Sequence, residues 1–317
     1  MTQTMGIVAR LRQQQPSLEI NVEQIHTKGD AITNIPLSQF GGDGVFVTEI
    51  ERALSSGRID LAVHSLKDLP TEQPDGLFVN VVGPREDVRD VLVSNHQPQI
   101  SSDGRLVFPE SVGTPRIGTC SLRRTAQLRT MLPEVDILSL RGNVDTRLRK
   151  LDAGEYDAIV LAAAGLHRLD MQERLEGRLT YLPLDLMLPA PGQGALGLEM
   201  RDEPELRALV DPLCDETTFA LASAERLFMR RLGAGCYLPV AAHGTLEDGI
   251  FSLRGLVISL DGTRQVRVQK SVPWTLGTEI KQAALLGIAV AEMALDQGAS
   301  EIISAMSDFR IQERERV

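Results

Sequence analysis

Between residues 116 and 166 the chain alternates short apolar runs with amphipathic stretches: RIGTC, SLRRTAQLRTML, VDILSL, NVDTRLRKLDAG, then YDAIVLAAAGL. Strands that run the same way need a crossover between them, and here each crossover has helical spacing, so the segment predicts a parallel α/β arrangement. In such a sheet the strand-to-helix turns open on the carboxyl edge, where ligands bind. Two of these turns carry arginine. GTCSLRR places Thr119, Ser121, Arg123 and Arg124 where a strand passes into the first turn of a helix, and SLRGNVDTR places Arg141 ahead of an Asn143 cap with Arg147 one turn inside. Backbone N–H groups at such a terminus attract an anion. Arginine in a first turn opposes the helix dipole, and a broken local rule tends to mark a functional position. Guanidinium forks match carboxylates through paired hydrogen bonds. On these residues alone a solvated basic helix face remains open.

Charge sharpens the contrast. Residues 116–150 hold eight Arg or Lys against three Asp or Glu, while the 317-residue chain carries a net charge of -10. Overall acidity argues against nucleic acid or an acidic membrane as a partner, so the basic segment reads as a localised anion site. The length exceeds what one core serves and predicts two or three domains. Cys120, Cys214 and Cys236 form no C-x-x-C pair and no disulfide framework, which predicts a reducing, cytoplasmic setting. No apolar run reaches membrane-spanning length, and the histidines lack metal-ligand spacing, so no metal is expected.

The chain opens on a helix broken by Pro16, followed by alternation at Leu18, Ile20 and Val22 that predicts a strand. A glycine loop and an amphipathic helix (Val45, Phe46, Ile50, Leu54) precede the strand IDLAVHSL. LFVNVVG and DVLVSN then complete a first αβ region with a parallel-sheet pattern. Residues 95–115, with Pro98, Pro109 and Pro115, read as a linker or hinge, and residues 189–216 as a second. After the helical TTFALASAERLFMRRLG, three strands starting near Val240, Ile250 and Thr263 and a helix within 276–299 predict a small α+β domain. The expected division is 1–96 plus 194–213, then 97–193, then 214–317.

Three further motifs stand out. Gly192, Gly194 and Gly197 form G-x-G-x-x-G, but prolines precede it and a strand follows, which favours a close-packed crossover over a dinucleotide site. HSLKDLP ends a strand with Ser65, Lys67 and Asp68, the last readable either as a turn carboxylate or as a stabiliser of developing positive charge. RLGAGCYLPV sets Cys236 on a glycine-hinged, proline-stopped loop near Arg230 and Arg231. An inert packed thiol and an activated thiolate both remain open, and without a local histidine motif the second fits a covalent anchor better than a turnover nucleophile.

Taken in order, PLSQFGGDGVFVTEIE, DLAVHSLKDLP, REDVRDVLVS, IGTCSLRRTAQL, LRGNVDTRLRKLDAGEYDAIVLAAAGLHRL, LPAPGQGALGLE and GAGCYLPV resemble the porphobilinogen deaminase (hydroxymethylbilane synthase) family over nearly the whole chain. The resemblance implies two periplasmic-binding-protein-like α/β lobes around a cleft and a smaller α+β C-terminal domain bearing the cysteine loop. It implies a transferase that joins four porphobilinogen molecules head to tail on a dipyrromethane cofactor held by Cys236 through a thioether. The growing linear polypyrrole is released as hydroxymethylbilane for tetrapyrrole (haem, chlorophyll, corrin) biosynthesis. Each porphobilinogen loses ammonia to give an azafulvene, which the terminal pyrrole attacks. By position, the cofactor contacts fall on Ser65, Lys67, Asp68, Thr119, Ser121, Arg123, Arg124 and Arg147, and the substrate contacts on Arg141, Arg147, Arg168 and Gln193. Asp68 takes the catalytic role, bonding pyrrole N–H groups and stabilising the cationic azafulvene. A monomer is implied. Three departures accompany the match. The family's chains open with a strand bearing a basic residue and a serine ahead of the helix that here contains Met1. Gln39 and Asp43 stand where the glycine loop often has lysine, and Cys120 where a small hydroxyl residue is common. The first departure leaves open a non-catalytic carboxylate-binding homologue.

Overall fold

The computed structural model describes residues 1–25, 47–233 and 238–306. Helix α1 (Thr2–Gln14) buries Ile7, Val8 and Leu11. It stops because the residue before a proline is driven out of the helical region, and Gln15, at φ -134 and ψ 87, shows that. The strand expected at Leu18, Ile20 and Val22 does not form: residues 18–25 have no ladder partner among the described residues. Leu18 and Ile20 pack on the first core while Val22 is 40% exposed, so the alternation records one packed side and not a pairing. Helix α2 (Thr48–Ser55) follows, with Ile50 and Leu54 in a small core; Val45 and Phe46 lie outside the described residues.

Strand β1 (Leu61–Ser65) runs into one 3-10 turn, Leu66–Asp68, and β2 (Leu77–Val82) follows. Next come β3 (Asp90–Ser94), the short hairpin β4 (Gln99–Ile100) and β5 (Leu106–Val107), β6 (Arg116–Gly118), α3 (Leu122–Met131) and β7 (Asp136–Leu138). Then α4 (Val144–Asp152), β8 (Ala158–Ala162), α5 (Ala163–His167) and β9 (Leu179–Tyr181) precede the return strand β10 (Leu196–Arg201) and α6 (Pro204–Val210).

The first sheet, in order β1-β10-β2, is antiparallel at both pairings, which corrects the parallel pattern expected for this region. The cause is topological: β10 returns from the other sheet and inserts, running the opposite way, between two strands that share a direction. The second sheet has the order β7-β6-β8-β3-β9. Its β6/β7 and β6/β8 pairs are parallel, as the alternation predicts, while β3 and β9 add antiparallel strands. Because Asp90 pairs with Ala162 and Ser94 with Ala158, DVLVSN belongs to this second sheet and not to the first region. The chain therefore changes sheets within residues 83–89. Nor is the 95–115 segment a linker: Ile100, Leu106 and Phe108 pack into the second core.

The C-terminal part is built from α7 (Glu216–Arg231), the antiparallel sheet of β11 (Val240–Glu247), β12 (Ile250–Ile258) and β13 (Gln265–Pro273), and α8 (Glu279–Asp296). This is the small α+β unit expected. Phe228, Phe251, Leu253 and Val290 are fully buried in its core, each contributing roughly 1.5–3 kcal/mol of transfer energy. It docks on the second lobe through a buried cluster of Ala126, Leu188, Ala241, Leu256 and Ile258, and on the first through Arg226, which donates to the carbonyls of Leu66, Leu69 and Pro70.

The two crossings, 83–89 and 190–195, lie side by side, with the Glu86 amide donating to the Gly194 carbonyl at 3.0 Å. Gly194 has φ +87, and a Cβ there would collide with the Glu86 carbonyl oxygen. The glycine motif thus serves a close-packed crossover.

Candidate active site

A cavity of about 930 Å³ opens where the two lobes, the return crossing and the C-terminal unit meet. The end of β1 and its 3-10 turn bring Ser65, Lys67 and Asp68 to the wall. The β6–α3 turn brings Thr119, Ser121, Arg123 and Arg124. Arg147 reaches it from α4, Arg168 from the residue after α5, and Gln193 from the return crossing. Of the residues singled out in the sequence, Arg141 is absent from the lining, although its neighbours Leu140 and Gly142 belong to it. Cys236, Gln39 and Asp43 lie outside the described residues; Leu238, two positions after Cys236 in the chain, does line the cavity.

Local chemistry fixes the turns. Ser121 caps α3, its hydroxyl accepting from the Arg124 amide, and Asn143 caps α4, accepting from the Thr146 amide at 2.9 Å. The Thr119 hydroxyl accepts from the Ser121 amide at 3.1 Å, and the Thr119 amide donates to the Leu138 carbonyl across the sheet edge. These bonds set Arg123 and Arg124 in the first turn of α3, against its dipole. The compensating charge is Asp90, a carboxylate with 0% exposure at the head of β3. Arg123 Nη1 lies 2.7 Å from one Asp90 oxygen; Arg124 Nη2, at 2.7 Å, and Nε, at 3.1 Å, donate to the other. Burial alone would raise the Asp90 carboxyl, but the two guanidiniums, with Lys67, hold it far below the usual carboxylate range.

Gln193 ties the first lobe to this centre. Its Nε2 donates to the Val88 carbonyl and to Asp90, and its Oε1 accepts from Lys67 Nζ at 3.2 Å. With every polar atom of the amide engaged, Gln193 supports the wall. Burial, reinforced by Arg124 and Arg123 and opposed by Asp68 and Asp90, pushes the Lys67 ammonium down to about 8. Burial also lowers Arg147, helped by Arg124 and opposed by Cys120 and Asp68; Arg147 Nε donates to the Gly142 carbonyl. Arg168, lowered by burial and opposed by Glu86, donates to the Gly194 carbonyl at 2.7 Å. Both guanidiniums remain charged at any working pH.

Five cationic side chains therefore share one cavity with the exposed Asp68 carboxylate. Arg123 Nε is buried with no hydrogen-bond partner among the described residues. Such a wall grips a multiply acidic organic ligand while presenting a carboxylate to any positive charge that develops on it.

Nothing in the sequence marks Asp90 as a hub, because a carboxylate opening an apolar run reads as a turn residue. Gln3, which lines the cavity from α1 and lies 3.5 Å from the Ser65 hydroxyl, was likewise unmarked.

Residues 1–208 match the family model described as porphobilinogen deaminase, dipyromethane cofactor binding domain, and residues 219–296 match porphobilinogen deaminase, C-terminal domain. A relative from Syntrophotalea carbinolica named porphobilinogen deaminase is 46% identical over 292 residues, spanning 92% of this chain and 87% of its own. One of the same name from Chromobacterium violaceum is 45% identical over 307 residues, spanning 96% and 94%. Among solved structures, an amino-acid ABC transporter extracellular-binding protein from Bacillus subtilis aligns with TM-score 0.39 and 11% identity, over 66% of this chain and 78% of its own. That partial likeness leaves the lobe architecture resting on the strand pairings above.

Proposed function

This chain belongs to the porphobilinogen deaminase family, and we propose from that membership that it deaminates porphobilinogen and links four molecules into hydroxymethylbilane on a dipyrromethane carried by Cys236. The observation that carries the site assignment is the single cavity in which Lys67, Arg123, Arg124, Arg147 and Arg168 converge around Asp68. The acetate and propionate groups on each pyrrole are the partners such a cluster suits. Ser65, Lys67, Thr119, Ser121, Arg123, Arg124 and Arg147 hold the cofactor, Arg147 and Arg168 the incoming porphobilinogen, and Gln193 braces Lys67. Arg141, assigned to substrate by the resemblance, lies outside the lining beside Leu140 and Gly142. Bound at Cys236, dipyrromethane supplies the nucleophilic pyrrole carbon. Asp68 accepts hydrogen bonds from pyrrole N–H groups and offsets the positive charge that appears on porphobilinogen as ammonia departs.

Intact-protein mass spectrometry tests the tether: the wild-type chain carries the dipyrromethane mass and Cys236→Ser does not. An active wild-type chain without the adduct overturns it. Ammonia release from porphobilinogen separates the transferase from a homologue that only binds carboxylates, and Asp68→Ala is expected to abolish that release with the fold intact. The same reading makes the protein a cytoplasmic monomer, which light scattering checks. No helix among the described residues is long and apolar enough to cross a membrane.

A further inference from the structure

The cationic wall described above is not an open set of charges, because three of its members are tied to one carboxylate that does not reach the cavity. Asp90 pairs with Arg123 through one oxygen; its other oxygen accepts from Arg124 and from Gln193, whose own oxygen accepts from Lys67. The remaining bonds are just as specific: Arg124 Nη1 donates to the Val160 carbonyl and Arg123 Nη1 to the Leu188 carbonyl. Arg123 and Arg124, brought together on one carboxylate, repel each other and oppose the dipole behind them. Without a fixed anion they would splay, and Lys67, on the other lobe, would lose its bridge to them.

We propose that Asp90 is a positioning residue: it fixes Arg123, Arg124 and, through Gln193, Lys67 in the array that receives the cofactor's carboxylates. The inference rests on the functional reading above and adds a residue from behind the wall. Asp90 does more than balance charge, since its two oxygens divide the guanidiniums between them and so set their separation. It also sustains the charge on Lys67, which faces Arg124, Arg123, Asp68 and Asp90.

The test compares Asp90→Asn, Asp90→Glu and Gln193→Met with the wild-type full chain. It uses intact mass for the adduct, thermal melting for the fold, and the pH dependence of kcat/KM for porphobilinogen in the loaded fraction. Asp90→Asn should still melt cooperatively. Its adduct occupancy should fall, and its alkaline limb should move about one pH unit toward acid, because Lys67 loses a supporting carboxylate. KM should rise more than kcat falls, and Asp90→Glu should recover part of each change. Gln193→Met leaves both ion pairs in place and removes the bridge to Lys67 together with the bonds to Asp90 and the Val88 carbonyl, so its limb should move the same way; it carries the test if Asp90→Asn does not fold. A merely structural role would lower the folded fraction and leave the limb where it was. Folded variants with wild-type occupancy, KM and limb overturn the positioning role. A wild-type chain that bears no adduct and releases no ammonia overturns the functional reading instead.

Discussion

The severest single substitution in this fold should be Glu225→Ala. Glu225, on α7, has 0% side-chain exposure and four donors: Arg85 Nη1 at 2.7 Å and the Gly244 amide at 2.8 Å on one oxygen, Arg85 Nη2 at 2.9 Å and the Gly192 amide at 2.7 Å on the other. Arg85 also donates from Nε to the Gln193 carbonyl. One carboxylate thus joins the outgoing crossing, the return crossing and the C-terminal sheet. Removing it strands a buried guanidinium, a loss of about 3–5 kcal/mol, and leaves two amides unsatisfied at about 1–3 kcal/mol each. The total is on the order of the whole net stability of a folded domain, about 5–15 kcal/mol, so Glu225→Ala should not accumulate as folded protein. Glu225→Gln keeps one acceptor oxygen and should lose about 3–5 kcal/mol. The double variant Arg85→Met/Glu225→Gln should be more stable than Glu225→Gln alone, because no charge is left buried without a partner. Urea unfolding followed by far-UV circular dichroism and by fluorescence of Trp274, the chain's single tryptophan, packed edge-on against Phe251, reads both effects. In the wild type the two signals should coincide, and in Glu225→Gln separate as the C-terminal unit uncouples. A Glu225→Gln midpoint equal to wild type, or a double variant no better than the single, refutes the reasoning.

Two further outcomes follow from burial. His243, on β11, is held down to about 4 by burial, reinforced by Arg85 and Arg254 and opposed by Glu225, and its Nδ1 has no hydrogen-bond partner among the described residues. Since an unfolded histidine titrates near 6.5, the unfolded chain binds a proton that the folded chain refuses between those values. Stability should therefore drop by about 3 kcal/mol as pH falls from about 6.5 to 4. His243→Leu should flatten that part of the stability curve, and an unchanged curve contradicts the assignment. Gly194→Ala forces a side chain into φ +87 and against the Glu86 carbonyl, so thermal melting should show a loss of about 2 kcal/mol or more; a wild-type melt would mean the crossings do not pack as described.

What was legible in the sequence follows the range of the signal. The β6-α3-β7-α4-β8 alternation and its Asn143 cap were readable because periodicity and capping act within a few residues. The direction of the first sheet was not, because its central strand, Leu196–Arg201, arrives after the whole second lobe. DVLVSN showed that it would be buried but not beside which strand, and only its ladder with Ala158–Ala162 decides that. The wall residues were found as chemistry: cations at strand ends, then a family resemblance that matched them by position. Arg141, ahead of the Asn143 cap, and Arg147, one turn inside the helix, were both assigned to substrate by the resemblance, whereas only Arg147 joins the lining. Asp90 escaped notice for the opposite reason. Its role depends on Arg123, Arg124 and Gln193 converging from other elements, and nothing in the residues beside it announces that.

The position of the site on the crossings has a mechanical consequence. Lys67 and Asp68 belong to the first lobe, the guanidiniums to the second, and Gln193 to the strand of chain that returns between them. With residues 95–115 packed into the second core, the sheets of the two lobes are joined covalently only through 83–89 and 190–195. Those segments are bonded to each other at Glu86 and Gly194, to Arg168 at the Gly194 carbonyl, and to Glu225 at Arg85 and Gly192. A shift of one lobe against the other must strain this set of bonds, and the same set holds Gln193, hence Lys67, against Asp90. Lobe geometry and the spacing of the cation array are therefore one variable. That coupling is why the stability of the Glu225 joint and the register of the Asp90 array should change together in variants that loosen the crossings, while variants of the exposed hydroxyl pair Ser252 and Ser271 in the C-terminal sheet should change neither.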